Sequence, residues 1–379
     1  MTSIKGPMKR WYRLAPLDSA TASPRREVWE LREGDHALAS FPVDVRIGKH
    51  LDVMGLKGTS VSEIRDYASF LRETAGRLYS PTQCRKVQNC LCCEFPTENA
   101  RSDISIFGVA YHRCLQCGHA FVLSQPGEAA LNAVFSDSEE HSATYTDVNS
   151  AEIRLTQVIR PKVEWMSESF SRHYGKRPSS VVDVGAGGGH FVAGLTREGI
   201  ASTGFELSRS SRRFAKEVFG LDLQAKSFLE EPPQPGRYDA ITFWGLLEYT
   251  PEPRRFLDVA HRWFRSGEGM LVIEVPRFDC ISTAVQGVFS DRVARHLDPT
   301  SHVNCFSDGS LTTALTECGF KPIAAWYFGM DIYELITQFA LELDDTSIFE
   351  RLAHLIPRLQ ATVDAGLICD DIVVAAVPI

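Results

Sequence analysis

Apolar positions along this chain follow two rhythms. Residues 181–184 (VVDV), 240–243 (AITF), 269–275 (GMLVIEV) and 371–377 (DIVVAAV) are nearly continuous apolar runs. Short runs of this kind predict strands covered on both faces. Residues 202–208 (STGFELS), 221–228 (LDLQAKSF) and 320–328 predict further strands. Between them the spacing turns helical. Residues 311–319 (LTTALTECG) read as a helix stopped by glycine, and 331–364 carry helical periodicity broken near Pro357. Strand and helix alternating in this way predict an α/β domain.

The N-terminal part reads differently. Short strand-like stretches occupy 27–31 and 37–47. Residues 61–78 place Ile64, Tyr67, Phe70 and Leu71 at helical spacing, with Ser62 as a cap candidate. The chain divides into an appendage (1–83), a cysteine-rich segment (84–124), a linker (125–150) and the α/β domain (151–379). No internal repeat is visible.

Residues 181–191, VVDVGAGGGHF, join a strand to a helix through a glycine turn. Such a turn lets a ligand press against backbone and aims the free N–H groups of a helix start at it. A dinucleotide site wants G-x-G-x-x-G, but the third glycine position counted from Gly185 is His190. The spacing is instead D-x-G-x-G-x-G. About 20 residues on, Glu206 ends the next strand, where a carboxylate suits ribose hydroxyls. The strand at 240–243 then runs into Trp244-Gly245-Leu246-Leu247-Glu248-Tyr249, and the strand at 269–275 leads into an exit loop.

In their order and spacing these four stretches resemble the motifs of class I S-adenosylmethionine (SAM) methyltransferases, over roughly residues 140–379. The resemblance implies a Rossmann-like, seven-stranded sheet whose last strand runs antiparallel into the sheet edge. It implies that Asp183, Gly185, Gly187 and Gly189 surround the methionine half of SAM and that Glu206 holds the ribose. Ser227 and Phe228 would flank adenine, and Trp244 and Gly245 would line the methyl-donor side. Tyr145 resembles a tyrosine that covers the methionine moiety in related enzymes; plain packing explains a lone aromatic equally well. His190 is expected beside the cofactor carboxylate.

Ten cysteines need an explanation, and six crowd one segment. Cys90-x-x-Cys93 and Cys114-x-x-Cys117 are two pairs separated by a strand-like insert at 104–112, and Gly118 follows the second pair. Two such pairs predict four thiolates around one structural zinc ion, a zinc-ribbon; an iron–sulfur centre or redox thiols would use the same residues. Cys92, His112 and His119 are alternative ligands or bystanders. The small zinc-binding region is expected to be α+β.

A cysteine knuckle before a SAM domain resembles the zinc-containing sugar C-methyltransferases and related bacterial natural-product and glycan methyltransferases. Their late motif, Tyr-His-Glu-His-x-x-Tyr-Phe-Ser, is matched at His302, Phe306 and Ser307 and altered at Pro299, Ser301 and Cys305. This marks His302 as the general base, against a structural histidine satisfied by a nearby carbonyl. Glu248 is the second base candidate, against a cap or salt-bridge role. The resemblance implies a small-molecule or sugar acceptor, methylated on oxygen or carbon. The alternative function is a SAM-fold and zinc-ribbon binding module without turnover.

Composition narrows the partners. A formal net charge of −8 argues against broad nucleic-acid or anionic-membrane binding. No apolar run is long enough to cross a bilayer, and the N-terminus lacks the apolar core of a secretory signal. A cytoplasmic monomer or homodimer is expected. Arg277, Arg292 and Arg295 offer charge to a phosphate or carboxylate, or sit solvated.

Overall fold

The computed structural model describes residues 9–13, 25–33, 35–49, 51–56, 61–80, 84–137, 146–265, 267–292 and 296–379. Its strands are β1 (Lys9–Arg13), β2 (Arg25–Glu33), β3 (His36–Ile47), β4 (Cys84–Lys86), β5 (Arg101–Ile106), β6 (Val109–Arg113), β7 (Ala120–Val122) and β8 (Ser124–Pro126), followed by β9 (Ser180–Val184), β10 (Ala201–Phe205), β11 (Ala240–Trp244), β12 (Met270–Pro276), β13 (Asn304–Cys305), β14 (Phe320–Phe328) and β15 (Asp371–Pro378). Nine of them form one sheet in the order β1-β2-β3-β14-β15-β12-β11-β9-β10. The strands β10, β9, β11 and β12 are parallel to one another. β15 runs antiparallel to both β12 and β14.

The apolar runs explain this placement. Ile372, Val374 and Ala376 of β15 pack into the core on one face with Val182, Phe243 and Ile273. Val373, Ala375 and Val377 pack on the other face with Val181, Val272 and Trp165. A strand apolar on both sides belongs inside a sheet covered on both faces. β15 is accordingly an interior strand, not the edge strand that the sequence reading expects, because β14 pairs its outer side.

Three further details add to or change this picture. The appendage joins the main sheet: β3 pairs in parallel with β14, and β2 and β1 continue as an antiparallel meander. The α/β domain contributes six strands to this sheet and the appendage three. The seventh domain strand, expected at 221–228, is reduced to a single bridge between Gln224 and Phe205. Asp222, Gln224 and Lys226 are exposed there, so little apolar surface favours a longer ladder. The helix at Val61–Leu78 forms as expected, but Ser62 lies inside it, not at its cap.

The cysteine-rich segment forms a second sheet, β13-β7-β6-β5, and a small β4-β8 pair. The strand-like stretch 104–112 is a hairpin, turned at Phe107 and Gly108. β13 comes from the α/β domain, so the two parts share strands as well as core: Cys90, Cys92, Cys114 and Phe121 lie in one apolar cluster with Phe306 and Leu311.

Helical residues 151–174 cover the second face of the main sheet. A π turn at Leu155–Ile159 interrupts them. Gly194 faces this turn, and a Cβ there would lie 2.5 Å from Ile159 Cγ2. The missing side chain allows this close approach. Further along the same helical stretch, Lys162 lies over the Trp244 ring, 4.7 Å from its centroid.

Candidate functional site

The parallel strands β9, β10, β11 and β12 all end at one edge, and the chemically distinctive residues collect there. β9 leads into the glycine turn, where the Gly185 and Ala186 N–H groups both donate to Phe205 O at 2.9 Å. Gly185 and Gly187 have φ of +73° and +51°, in the left-handed region that favours glycine. A Cβ at Gly187 would meet nothing within 4 Å, so this position opens on free space. The Glu206 carboxylate accepts from the Gly187 N–H at 2.7 Å and from the Ser208 N–H at 2.6 Å. It is thereby held beside the turn. Asp183 is buried beneath, accepting from Thr242 Oγ1 at 2.7 Å. Burial pushes its carboxyl up to about 7.

Further polar groups collect beyond the end of β11. Trp244 and Gly245 are half-buried, and Glu248 is 3% exposed. Glu248 folds back toward the chain, its Oε1 3.1 Å from where a Gly245 Cβ would stand. Its Oε2 is buried without a hydrogen-bond partner, and burial drives its carboxyl well above the usual range. It makes neither a helix cap nor an ion pair among the described residues. Lys162 and Glu274 form a buried ion pair close by.

Lys49 carries no motif and escapes a sequence reading. It follows β3, where Gly48 N–H donates to Tyr327 O and Trp326 Nε1 donates to Gly48 O. Its ammonium lies 4.5 Å from the Phe328 ring centroid and 5.6 Å from that of Trp326. Burial, and then the charge of Lys162, pull it down to about 7.

Across the edge stands His302. Its Nδ1 donates to His296 O at 2.7 Å, which leaves the lone pair of the neutral ring on Nε2. Nε2 lies 3.3 Å from the Tyr249 hydroxyl. Tyr111 OH donates to His302 O at 2.7 Å, fixing the backbone as well. Tyr249 lies 53 residues from His302 in sequence, outside the altered motif.

The four sulfurs of Cys90, Cys93, Cys114 and Cys117 lie within 4.8 Å of one another, with Cys90–Cys117 at 3.6 Å and Cys93–Cys114 at 3.7 Å. Zinc–sulfur bonds of about 2.3 Å would set tetrahedral sulfurs about 3.8 Å apart, so this donor set fits zinc. The two knuckles are alike. Glu94 N–H donates to Cys90 O, and Gly118 N–H donates to Cys114 O, both at 3.0 Å. Glu94 and Gly118 both take positive φ. Hydrogen bonds from Cys117, Cys90 and Cys93 pull the Cys114 thiol far down. Cys92, His112 and His119 stand outside the quartet.

Several of the expected site residues are engaged by the protein itself. Phe228 is a core residue, with its ring against Trp263, Phe205 and Phe243. Gly189 faces the helix Arg209–Phe219: a Cβ would sit 2.9 Å from Ala215 Cβ, which makes it a packing glycine. His190 is buried and stacks on Phe214. Arg277 is buried against Asp308 and the carbonyls of Leu367 and Cys369, and Arg292 pairs with Glu342. Ser227 remains half-buried. Tyr145 and Arg295 lie outside the described residues.

Comparison with known proteins gives three findings. Residues 155–325 match the family described as a methyltransferase domain. Over 138 residues the chain is 30% identical to a ubiquinone biosynthesis O-methyltransferase of Bordetella parapertussis, covering 34% of this chain and 55% of that protein. The same enzyme of Aeromonas salmonicida is 26% identical, with 32% and 53% covered. The chain spans about half the length of these curated relatives. Among solved structures, a magnesium protoporphyrin IX methyltransferase from Synechocystis is 12% identical with a TM-score of 0.44, covering 67% of this chain and all of that one. A didemethyltoxoflavin N1-methyltransferase from Burkholderia thailandensis is 14% identical with a TM-score of 0.41, covering 70% and 98%.

Proposed function

We propose that this chain is a SAM-dependent methyltransferase acting on a hydroxyl or acidic carbon of a small-molecule or sugar acceptor, with a structural zinc held by Cys90, Cys93, Cys114 and Cys117. The observation that carries the reading is the meeting, at one sheet edge, of an open glycine turn, the backbone-held Glu206 and a histidine whose Nε2 lone pair is fixed. Bound SAM would supply an electrophilic methyl on a sulfonium.

In this reading Gly185 and Gly187 admit the methionine half, Glu206 accepts from the ribose hydroxyls, and Ser227 lies at the adenine end. Trp244 and Gly245 wall the methyl-donor side. In the free protein the Tyr249 hydroxyl donates to His302 Nε2 and orients the ring, and the entering acceptor hydroxyl takes over that lone pair. His302 Nε2 then takes the acceptor proton as the new bond forms and the carbon–sulfur bond breaks. Glu248 is the second candidate for the base, its carboxyl pushed well above the usual range by burial. The ubiquinone O-methyltransferase likeness favours oxygen as the acceptor atom.

His302→Gln is expected to lower methyl transfer by about 10²–10⁴-fold while SAM affinity stays within about twofold. Tyr249→Phe should lose about tenfold. Turnover with labelled SAM and binding calorimetry measure both quantities. An unchanged rate in His302→Gln would remove the base assignment. SAM binding without transfer to any acceptor would support the silent binding module.

Asp183 gives a pH prediction. A cation bound beside it would lower its pKa from the free-protein value of about 7. SAM binding then releases a proton below neutrality. Affinity should rise with pH, by up to roughly tenfold per unit, and level off above about 7. Calorimetry across this range, in two buffers of different ionisation enthalpy, measures the released proton. Affinity independent of pH would contradict the placement of SAM over Asp183. No helix among the described residues is long and apolar enough to cross a membrane.

A further inference from the structure

Asn304 is fully buried at the junction of the cysteine module and the cleft. Through β13 its backbone belongs to the same sheet as the module's hairpin, opposite Phe121. Its own N–H donates to Glu248 O at 3.1 Å. Its side-chain Nδ2 donates to Leu247 O at 3.1 Å and to Thr250 O at 2.6 Å. These three carbonyls flank Tyr249 in sequence. The remaining side-chain atom, Oδ1, accepts from His119 Nε2 at 3.1 Å. His119 is itself buried, stacked on Phe121 and tilted against Phe306. It is also tied to the first cysteine of the second knuckle: Cys114 N–H donates to His119 O at 2.9 Å.

These bonds connect the two parts without a gap. The second knuckle fixes His119, His119 fixes the amide of Asn304, and Asn304 fixes the turn that carries Tyr249. Two residues before Asn304 stands His302, whose Nε2 meets the Tyr249 hydroxyl. A second strut runs parallel to the first, since Ser307 Oγ donates to Cys117 O at 3.1 Å. Both N–H donors of the Asn304 side chain are used and its oxygen accepts from His119, so the buried amide is held from both ends in one orientation.

We infer that Asn304 is a positioning residue, held by His119, through which the cysteine module sets the distance between Tyr249 and His302. The inference rests on the reading of His302 as the base. The module then acts as the outer support of the acceptor side of the cleft, while the glycine turn and Glu206 follow β9 and β10. The two halves of the site separate experimentally: SAM affinity reports the cofactor half, and the state of His302 reports the acceptor half.

The test uses the full chain with histidine labelled with ¹⁵N, the His302 signal being assigned by its loss in His302→Gln. In the native protein His302 should be the Nδ1–H tautomer, with Nε2 shifted by its hydrogen bond. Asn304→Ala and His119→Phe are the variants; phenylalanine keeps the ring stacking of His119 and removes its donor. The expected result is the same in both: a changed Nε2 shift or a mixed tautomer at His302, a kcat lowered by about tenfold or more, and S-adenosylhomocysteine (SAH) affinity within about twofold of native. His119→Gln, which can restore a donor, should recover the native signal in part. A His302 signal and kcat unchanged in His119→Phe would overturn the inference even if Asn304→Ala failed to fold. Loss of SAH binding in the native protein would instead overturn the methyltransferase reading itself.

Discussion

Gly187→Arg should lower SAM affinity by about two orders of magnitude or more, close to 3 kcal/mol, and leave the cysteine module folded. Two effects add. Gly187 holds φ of +51°, which an L side chain adopts with strain. Its missing Cβ faces space free of protein atoms within 4 Å, so an arginine there projects into the volume assigned to the ligand without first meeting the core. The Gly187 N–H also holds Glu206, so a shifted turn frees the carboxylate from the ribose position. Calorimetry with SAM measures the loss, and metal content with far-ultraviolet circular dichroism checks the fold. Native affinity in Gly187→Arg would mean that the turn is not the cofactor site. Gly189→Ala is a different case: its Cβ would meet Ala215, so a packing defect is expected there.

Removal of the metal should be the largest stability effect. Chelation is expected to release about one zinc per chain and to lower the thermal midpoint by about 10 °C or more, since zinc knuckles of this kind owe much of their folding energy to the ion. Four buried or half-buried thiols within 4.8 Å of one another cannot all ionise without a cation between them. The effect is expected to spread beyond residues 84–124. β13 pairs with β7, and Phe306 shares its apolar cluster with Cys90 and Cys114, so loss of the knuckles loosens the segment that bears His302. Metal analysis and differential scanning calorimetry give both numbers. Iron in place of zinc, or a midpoint indifferent to chelation, would contradict this account of the module.

What the sequence makes legible follows from local physics. The helix at Val61–Leu78 and the strand at Phe320–Phe328 have the bounds that their apolar spacing predicts. The cysteine quartet and the glycine turn are likewise readable, because each needs particular residue types at short spacing. The rest depends on pairing over distance. Nothing in residues 25–47 announces that β3 will join β14, and Lys49 reaches the site only because it does. The partner of His302 is Tyr249, 53 residues away in sequence, so the motif alone leaves the pair unseen. Phe228 and Gly189 sit at motif positions, yet their neighbours Trp263 and Ala215 turn both toward the core. Ordinary packing requirements and ligand contacts leave the same residue types in a sequence, and only the three-dimensional arrangement separates them.

The most direct measurement is a crystal structure of the protein with SAH. The account predicts the ligand along the ends of β9, β10 and β11, its ribose on Glu206, its sulfur beside Gly245, and His302 Nε2 facing the sulfur across a gap that fits an acceptor atom. SAH bound elsewhere, or at this edge with the His302 ring turned away from the sulfur, would contradict it.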